Sequence, residues 1–331
     1  MRLRTLNSAV AIVASCVLAA TACSSAAKSA TAAATTTTAA TVASAAPTGA
    51  GAHLAAATCN RPHHAGQSSQ SFTYKGKKRT YLLYVPTSYK GTTKVPLVFN
   101  FHGYGSNASD QMLLANFGPI ADKNNFLVVA PNGQGSSPHW VFGSEPGLQN
   151  DITMVDALIK HLEGSLCVDA ARVYSTGMSD GGAMTSVLAC TSSKTFAAFA
   201  AVAVVVYCGG PQGRAVPIES YAGSKDPIVP TNGGQVTCCG NPTLPSKASA
   251  MANWAAHDAC KAKYTDTRIK PHVVRRTWTG CKAGSASVYY LVERAHVAGR
   301  AVVRLTGERD EGDQREQADL WKFFAAHQLP S

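Results

Sequence analysis

The feature that most constrains the fold is a repeated alternation between short apolar runs and amphipathic segments, which begins near residue 59. The runs at 95–103, 126–131 and 196–206 are almost wholly apolar, as in strands covered on both faces. Residues 150–166 instead repeat apolar side chains at the spacing of a helix. Further strands are predicted at 80–86, 172–177, 215–223 and 287–293, and further helices at 180–190, 248–260 and 313–327. This pattern predicts one α/β domain over 59–331, a mostly parallel sheet with helices on both faces.

The first 23 residues have the composition of a bacterial export signal. Arg2 and Arg4 precede an apolar run at 9–20 that is too short for a membrane-spanning helix. Small residues then lead to Cys23, as in a lipobox, although Ala20 stands where leucine is usual. We expect residues 1–23 to be a signal peptide with lipidation at Cys23. Ordinary signal cleavage near the same place is the alternative.

Residues 24–58 contain almost no large apolar side chain, so they cannot form a core. We expect a disordered tether rich in Ala, Thr and Ser that lets the domain stand away from the membrane. The protein is therefore expected to be secreted or extracytoplasmic, held at the cell membrane as a lipoprotein.

The cysteine count and the charge agree with export. Eight of the ten cysteines lie beyond residue 23, and an even number in an exported chain favours disulfides. No C-x-x-C pair occurs, which argues against a zinc ribbon or a thioredoxin-like redox motif. The formal net charge of +11 comes from scattered basic residues, which suits an anionic envelope and does not indicate a nucleic-acid-binding module.

One glycine-rich turn has the spacing needed to expose a nucleophile. Gly177, Ser179 and Gly181 form a G-x-S-x-G run between a predicted strand and a predicted helix. A serine on so tight a turn is pushed outward, and the glycines leave room for close strand–helix approach. An ordinary glycine-rich turn has the same pattern, so the motif alone is a weak signal.

Asp226 and His296 each follow a predicted strand and complete a candidate triad. The carboxyl ends of strands form the ligand-binding edge of an open α/β sheet, and the chain order Ser, Asp, His is that of α/β-hydrolases. Ser179 is the predicted nucleophile, His296 the base and Asp226 the acid that orients the base. His272, in a basic loop, is a weaker rival for the base.

The tetrahedral intermediate of such a reaction needs backbone donors. Asp180, at the start of a helix, supplies one N–H. A turn after the strand at 95–103 supplies the second, which we assign to Tyr104 with Gly103 as the alternative. His102 in the same turn is expected to be structural.

Together these motifs resemble one group of secreted esterases. The resemblance runs from about residue 72 to residue 330 and rests on PLVFNFHGYGSN, APNGQG, CVDAARVYSTGMSDGGAMT, AGSKDPIVP and YYLVERAH, among other runs. They are similar to those of polyhydroxybutyrate depolymerase-like and feruloyl esterase-like enzymes, also called carbohydrate esterase family 1, including lipoprotein esterases of similar design. The resemblance implies an α/β-hydrolase fold and ester hydrolysis without a cofactor or metal. It also implies that Ser179, Asp226 and His296 are nucleophile, acid and base.

The resemblance also bears on the disulfides. Family members often pair the cysteines that correspond to Cys190 with Cys208 and to Cys260 with Cys281. The cysteines that remain are Cys59, Cys167, Cys238 and Cys239. Because adjacent cysteines rarely bond each other, we expect each member of the adjacent pair to take one of the other two, in a pairing that the sequence leaves open.

Two departures from the family pattern stand out. Asp180 replaces the usual asparagine after the nucleophile, which puts a carboxylate beside the oxyanion site. The base lies in ERAHVAGR rather than in Gly-Gly-Gly-His-Thr-Trp-Pro, so Val297 or Ala298 replaces an aromatic residue that often borders the acyl pocket. Trp140 and Tyr104 are candidate aromatic walls in its place.

The leading hypothesis is a secreted or lipid-anchored serine esterase that hydrolyses polyhydroxybutyrate-like oligomers or feruloyl and acetyl esters. Soluble esters are favoured over crystalline polymer because no substrate-binding module is recognised. Acyl transfer to an envelope acceptor by the same triad is the second hypothesis, and a non-catalytic binding protein on a hydrolase fold is the third. We expect a monomer that binds an ester substrate, no nucleic acid, and the membrane only through its lipid anchor.

Overall fold

The computed structural model describes residues 59–142, 146–209, 213–293 and 313–330, all within a unit that runs Ala55–Ser331. The predicted signal peptide, its lipidation site Cys23 and the predicted tether at 24–58 lie outside the described residues. No helix in the described segments is both long and apolar enough to cross a membrane.

Most of the strands in the described segments belong to one large sheet. In chain order they are β1 (Gly66–Tyr74), β2 (Lys77–Val85), β3 (Val95–Phe101), β4 (Leu127–Pro131), β5 (Val168–Met178), β6 (Ala198–Val202), β7 (Ile218–Gly223), β8 (Gly234–Gln235), β9 (Thr243–Leu244), β10 (Thr265–Lys270), β11 (Val273–Trp278) and β12 (Ser287–Val292). The large sheet has ten strands in the order β1-β2-β4-β3-β5-β6-β7-β12-β11-β10, and β8 pairs with β9 in a separate hairpin. The six central strands from β4 to β12 run parallel, and the outer pairs run antiparallel. The predicted mostly parallel sheet is confirmed.

Helices cover both faces of this sheet, as predicted. In chain order they are α1 (Ala108–Ala115), α2 (Gly118–Asn124), α3 (Leu148–Ser165), α4 (Asp180–Thr191), α5 (Lys247–His257) and α6 (Asp313–Ala325). Buried side chains of α3, α4 and α5 join one hydrophobic cluster, and those of α1, α2 and α6 join a second. Along β3, Leu97 and Phe99 enter the first cluster and Val98 enters the second, because alternate side chains of a strand point to opposite faces.

One predicted strand is too long. The apolar run at 196–206 predicts a single strand, but β6 ends at Val202. Ala203 has a φ of 65°, and the Val204 N–H donates to the Val202 carbonyl at 2.8 Å, so the chain turns sharply out of the sheet. The run stays apolar beyond this turn because its next residues are buried in a separate cluster around Val204, which the apolar pattern alone cannot distinguish from a strand.

Four disulfides are present among the described residues, which is typical of a protein that folds in an oxidising compartment. They join Cys59 to Cys167, Cys190 to Cys208, Cys238 to Cys239 and Cys260 to Cys281. The two pairs implied by the resemblance are confirmed. The expectation that the two adjacent cysteines bond to the other two is wrong, because Cys59 lies beside Cys167, with a Cα–Cα distance of 5.8 Å.

A fully buried carboxyl lies in the middle of the sheet. Glu219 on β7 accepts a hydrogen bond from the Tyr221 hydroxyl at 2.9 Å through Oε1, and its Oε2 has no hydrogen-bond partner among the described residues. Burial raises the pKa of Glu219 well above its ordinary value of 4.5, because removal from water penalises the charged form. The folded protein therefore binds a proton here at pH values where the unfolded chain has released it.

We predict that Glu219→Gln makes stability less sensitive to pH. Because the folded pKa is raised, the carboxyl contributes stability that is full below pH 4.5 and is lost as the pH rises towards the folded pKa. Glutamine resembles the protonated acid and does not titrate. The unfolding free energy of the variant relative to the wild type should rise with pH, by up to about 1.4 kcal/mol per pH unit. Urea unfolding between pH 4 and 8 measures this difference.

The matched control is Glu163→Gln, which removes the same charge from a partly exposed position on α3. A stability difference for Glu219→Gln that stays flat with pH would contradict the prediction.

Candidate active site

Ser179 lies at a strained turn between β5 and α4. Its φ of 56° and ψ of −117° fall outside the helical and strand regions, an uncommon backbone for a residue other than glycine. The Ser179 N–H donates to the Val202 carbonyl at 2.9 Å, and its own carbonyl accepts from the N–H groups of Gly182 and Ala183 at 2.9 and 3.0 Å. The backbone is thus held on both sides, as in the nucleophile elbow of α/β-hydrolases.

Gly177 and Gly181 are required by close packing around this turn. A Cβ on Gly177 would lie 2.5 Å from the Gly181 carbonyl oxygen, and a Cβ on Gly181 would overlap the Phe101 carbonyl oxygen. The two glycines let α4 and the end of β3 approach Ser179 closely. Their predicted role in strand–helix approach is confirmed.

The turn after β3 lies against the nucleophile turn. A Cβ on Gly103 would be 3.5 Å from the Cβ of Ser179. The Gly103 carbonyl accepts from the Ser106 N–H at 3.1 Å and bonds to Nδ1 of His102 at 2.7 Å. Because the peptide group is planar and trans, the Tyr104 N–H points away from this carbonyl and from the His102 ring. The arrangement supports the Tyr104 N–H as an oxyanion donor, which stays a prediction.

His102 is a buried structural residue, as expected. The Gly133 N–H donates to its Nε2 at 2.8 Å, so Nε2 is the acceptor and Nδ1 carries the proton that binds the Gly103 carbonyl. Burial lowers the pKa of His102, which keeps the ring neutral. A neutral ring with this proton placement fixes the peptide that carries the Tyr104 N–H.

Asp180 uses its side chain to hold a neighbouring loop. Its Oδ2 accepts from the Trp140 N–H at 2.6 Å, and the Asp151 Oδ2 accepts from the next amide, Val141, at 3.1 Å. Burial raises the pKa of Asp151. Two carboxylates thus fix consecutive amides of one loop, and the Asp180 carboxylate has a structural task next to Ser179. The Asp180 N–H as a second oxyanion donor stays a prediction.

Trp140 is almost fully buried, so it differs from the open aromatic wall that the sequence suggested. It borders a cavity beside Ser179 but is only 1% exposed, and its Nε1 donates to the His102 carbonyl at 3.0 Å. Its hydrogen bond supports the turn that contains His102 and Gly103. A direct contact with substrate stays a prediction.

Asp226 lies in the loop after β7, and its side chain is oriented by backbone amides. Oδ1 accepts from the N–H groups of Ile228 and Val229, both at 2.9 Å. The Val229 carbonyl in turn accepts from Nζ of Lys247 at 2.8 Å. Burial lowers the pKa of Lys247 to about 8, and the negative charge of Asp226 opposes that shift. Sequence reasoning missed Lys247 because nothing local links it to Asp226.

The predicted base, His296, lies outside the described residues. The last residue of β12, Val292, pairs in parallel with Gly223 at the end of β7, and its carbonyl accepts from the Ser224 N–H at 2.9 Å. The chain therefore leaves β12 beside the Asp226 loop, and the role of His296 stays a prediction. The rival His272 is exposed.

Ser179 and Asp226 line a common cleft made of two cavities. The Asp226-side cavity has a volume of about 310 Å³ and includes Asp226, Met178 and Ala203 in its lining. The α4-side cavity also has a volume of about 310 Å³ and includes Ala183 in its lining. The residues that line both are Tyr104, Ser179, Val229, Cys238 and Cys239. Because β3, β5, β6 and β7 are neighbouring parallel strands, the loops that carry Tyr104, Ser179 and Asp226 follow them at the same edge of the sheet.

Known proteins agree with this architecture. Residues 79–237 match the family model described as Esterase PHB depolymerase. Probable feruloyl esterase C of Aspergillus oryzae is 27% identical over 264 residues, which cover 76% of this chain and 86% of the relative. Feruloyl esterase C of Emericella nidulans is 28% identical over 162 residues, or 47% of this chain and 58% of the relative.

Solved structures show the same fold at lower identity. Acetyl xylan esterase from Aspergillus awamori matches with a TM-score of 0.55 at 16% identity, over 78% of this chain and 99% of that one. An S-formylglutathione hydrolase from Agrobacterium tumefaciens matches with a TM-score of 0.52 at 12% identity, over 82% and 99% of the two chains.

The fold and the family match define the protein as a carboxylic ester hydrolase built on the α/β-hydrolase fold. Within this class the chain is similar to polyhydroxybutyrate depolymerase-like and feruloyl esterase-like enzymes. The resemblance read from the sequence is confirmed.

We predict that the Asp180 side chain acts through the Trp140 amide. Asp180→Asn keeps an acceptor for this N–H, so kcat/KM should stay within about tenfold of the wild type. Asp180→Ala leaves a buried amide without its partner, which costs about 1–3 kcal/mol. The alanine variant should therefore lose stability and about 10- to 100-fold in kcat/KM. Thermal unfolding and steady-state kinetics of the two variants check this, and equal losses in both would contradict it.

Proposed function

We propose that this protein is an exported serine esterase that hydrolyses carboxylic esters through an acyl-enzyme on Ser179. The observation that carries the proposal is that Ser179, at a strained nucleophile turn, and Asp226 line one cavity with the amide-bearing turn at Gly103 and Tyr104. These are three of the elements that acyl transfer by a serine triad requires.

Each group has a defined step in the proposed reaction. His296 takes the Ser179 proton as Oγ attacks the ester carbonyl, and Asp226 orients the imidazole and stabilises its cation. The N–H groups of Tyr104 and Asp180 bind the oxyanion. His296 then gives the proton to the departing alcohol, and water enters to hydrolyse the acyl-enzyme by the same route.

The direction of proton transfer assigns the two cavities. The base protonates the leaving alcohol, so the alcohol lies on the side of Asp226, where the base is expected. The acyl group then enters the α4-side cavity. Its wall includes the buried apolar residues Ala183, Val204, Val229 and Val236, which suits an apolar acyl group.

An aromatic pair stands beside this cavity. Tyr104 is 43% exposed, and its ring packs on His139 with a centroid distance of 5.5 Å and an interplanar angle of 30°. Both rings line the α4-side cavity. They support an acyl group with an aromatic or extended apolar part, in keeping with the feruloyl esterases among the relatives. We propose soluble feruloyl esters, medium-chain acyl esters and hydroxybutyrate oligomers as the substrate class.

The expected activity is hydrolysis that depends on Ser179. A panel of p-nitrophenyl acetate, butyrate and octanoate, methyl ferulate and a hydroxybutyrate oligomer is tested with the wild type and with Ser179→Ala. We predict a loss of about four or more orders of magnitude in kcat for the variant, because triad residues act as a unit. Within the alkyl series, kcat/KM should rise about fourfold per methylene until the cavity is full, since a buried methylene contributes about 0.8 kcal/mol.

Labelling of Ser179 with a fluorophosphonate probe is the control for a competent nucleophile. A wild type that hydrolyses none of the esters faster than Ser179→Ala would sink the proposal.

We also propose that residues 1–23 direct export and that Cys23 carries a lipid anchor. The four disulfides among the described residues support export of the protein to an oxidising compartment. The lipobox-like run before Cys23 supports the lipid anchor. In a bacterial host, Cys23→Ala should abolish incorporation of labelled palmitate and move the protein out of the membrane fraction. The same substitution at Cys16 is the matched control, and palmitate incorporation that survives in Cys23→Ala would contradict the anchor.

A further inference from the structure

The bond between Cys238 and Cys239 is poorly explained by global stability. A disulfide restricts the unfolded chain according to the length of the loop that it closes, and these two cysteines are adjacent. The Cys59–Cys167 bond, by comparison, spans a sequence separation of 108. A bond that closes almost no loop is better explained by its local surroundings.

The pair lies at the tip of the hairpin formed by β8 and β9. The Asn241 N–H donates to the Cys238 carbonyl at 2.8 Å. The two residues between them, Cys239 and Gly240, have φ values of 60° and 83°, the signature of the type I′ turn of tight hairpins. The disulfide thus links the first two residues of the turn and restricts the shape of the tip.

The hairpin is tied to the loop that carries Asp226. The Thr237 N–H donates to the Ile228 carbonyl at 3.1 Å, and the Ile228 N–H donates to Asp226. This connection holds the hairpin tip in a defined position relative to the acid of the proposed triad.

The disulfide borders the cleft on both sides of the nucleophile. Cys238 and Cys239 line the Asp226-side cavity and the α4-side cavity, together with Ser179. Cys238 also packs on the apolar cluster that includes Val204 and Val236. Disulfide sulfurs are polarisable and apolar and, unlike thiols, carry no titrating proton. They present an uncharged apolar surface to a bound ester.

We propose that the Cys238–Cys239 disulfide is a specificity-determining wall that contacts the apolar acyl group of the ester next to Ser179. The inference rests on the proposed esterase function and adds the surface that selects the acyl group. An acyl group that enters the α4-side cavity passes the disulfide, because both cysteines line the cavities where they meet. Octanoyl and feruloyl groups reach beyond the carbonyl carbon to this wall, whereas an acetyl group offers one methyl.

The test compares acyl selectivity with and without the disulfide. In the full chain carrying Ser179→Ala, affinities for p-nitrophenyl octanoate and p-nitrophenyl acetate are measured by calorimetry, because the esters are not hydrolysed there. Adding Cys238→Ser and Cys239→Ser should lower the ratio of octanoate affinity to acetate affinity tenfold or more. The same pair in the Ser179 background should lower the octanoate-to-acetate ratio of kcat/KM by a similar factor, mainly through KM.

Two further variants separate local from general effects. Cys238→Ala with Cys239→Ala removes the bond and sulfurs but keeps an apolar surface, and the ratio should fall in the same direction. Cys260→Ser with Cys281→Ser removes a disulfide whose cysteines line neither cavity in the described part of the chain. It should lower the melting temperature without changing the ratio.

The outcomes are distinct. An unchanged ratio in the serine or alanine pair, or an equal fall in the Cys260 and Cys281 control, overturns this inference. The calorimetric measurement of binding does not need hydrolysis. A wild type without esterase activity would therefore overturn the proposed function, while the affinity ratio would still test the role of the disulfide.

Discussion

The backbone conformation of Ser179 is the constraint on which the rest of the site depends. A residue other than glycine in such a region costs on the order of 1–3 kcal/mol, so the surroundings must hold it there. The Val202 carbonyl holds the Ser179 N–H from β6, and α4 takes up the Ser179 carbonyl. The absence of side chains at Gly177 and Gly181 lets the end of β3 close against the turn. This closeness places the turn at Gly103 against Ser179.

The sequence predicts the central part of the sheet well because burial on both faces leaves a strong local signal. All seven residues of β3 and all five of β4 are buried, and short continuous apolar runs are typical of strands covered on both faces. The outer strands carry no comparable signal. β1 is rich in Ser and Gln, and five of the six residues of β10 are exposed, so these strands form because β2 and β11 offer them a paired edge.

The residues of the candidate site also fall into two groups, those that the sequence predicts and those that it does not. Ser179 is predictable because the nucleophile turn imposes glycines two residues away on each side, and Asp226 because the acid follows a buried strand. The supporting groups are not predictable, because their contacts join distant parts of the chain. Asp151 meets Val141 through a loop, and Lys247 reaches Val229 from another helix. The Cys59–Cys167 bond belongs to this second group, since it joins residues that are 108 positions apart in the sequence.

Val229 physically couples the wall of both cavities to the Asp226 side chain. Its N–H binds Asp226 and its carbonyl binds Lys247, while the residue lines both cavities. Lys247 is buried, so its Nζ holds the Val229 carbonyl with little competition from water. A change in cavity shape at this position must also move the amide that binds the Asp226 carboxylate. The hairpin that carries Cys238 is bonded one residue away, at Ile228, so the disulfide that lines both cavities and the Asp226 carboxylate are parts of one hydrogen-bonded unit.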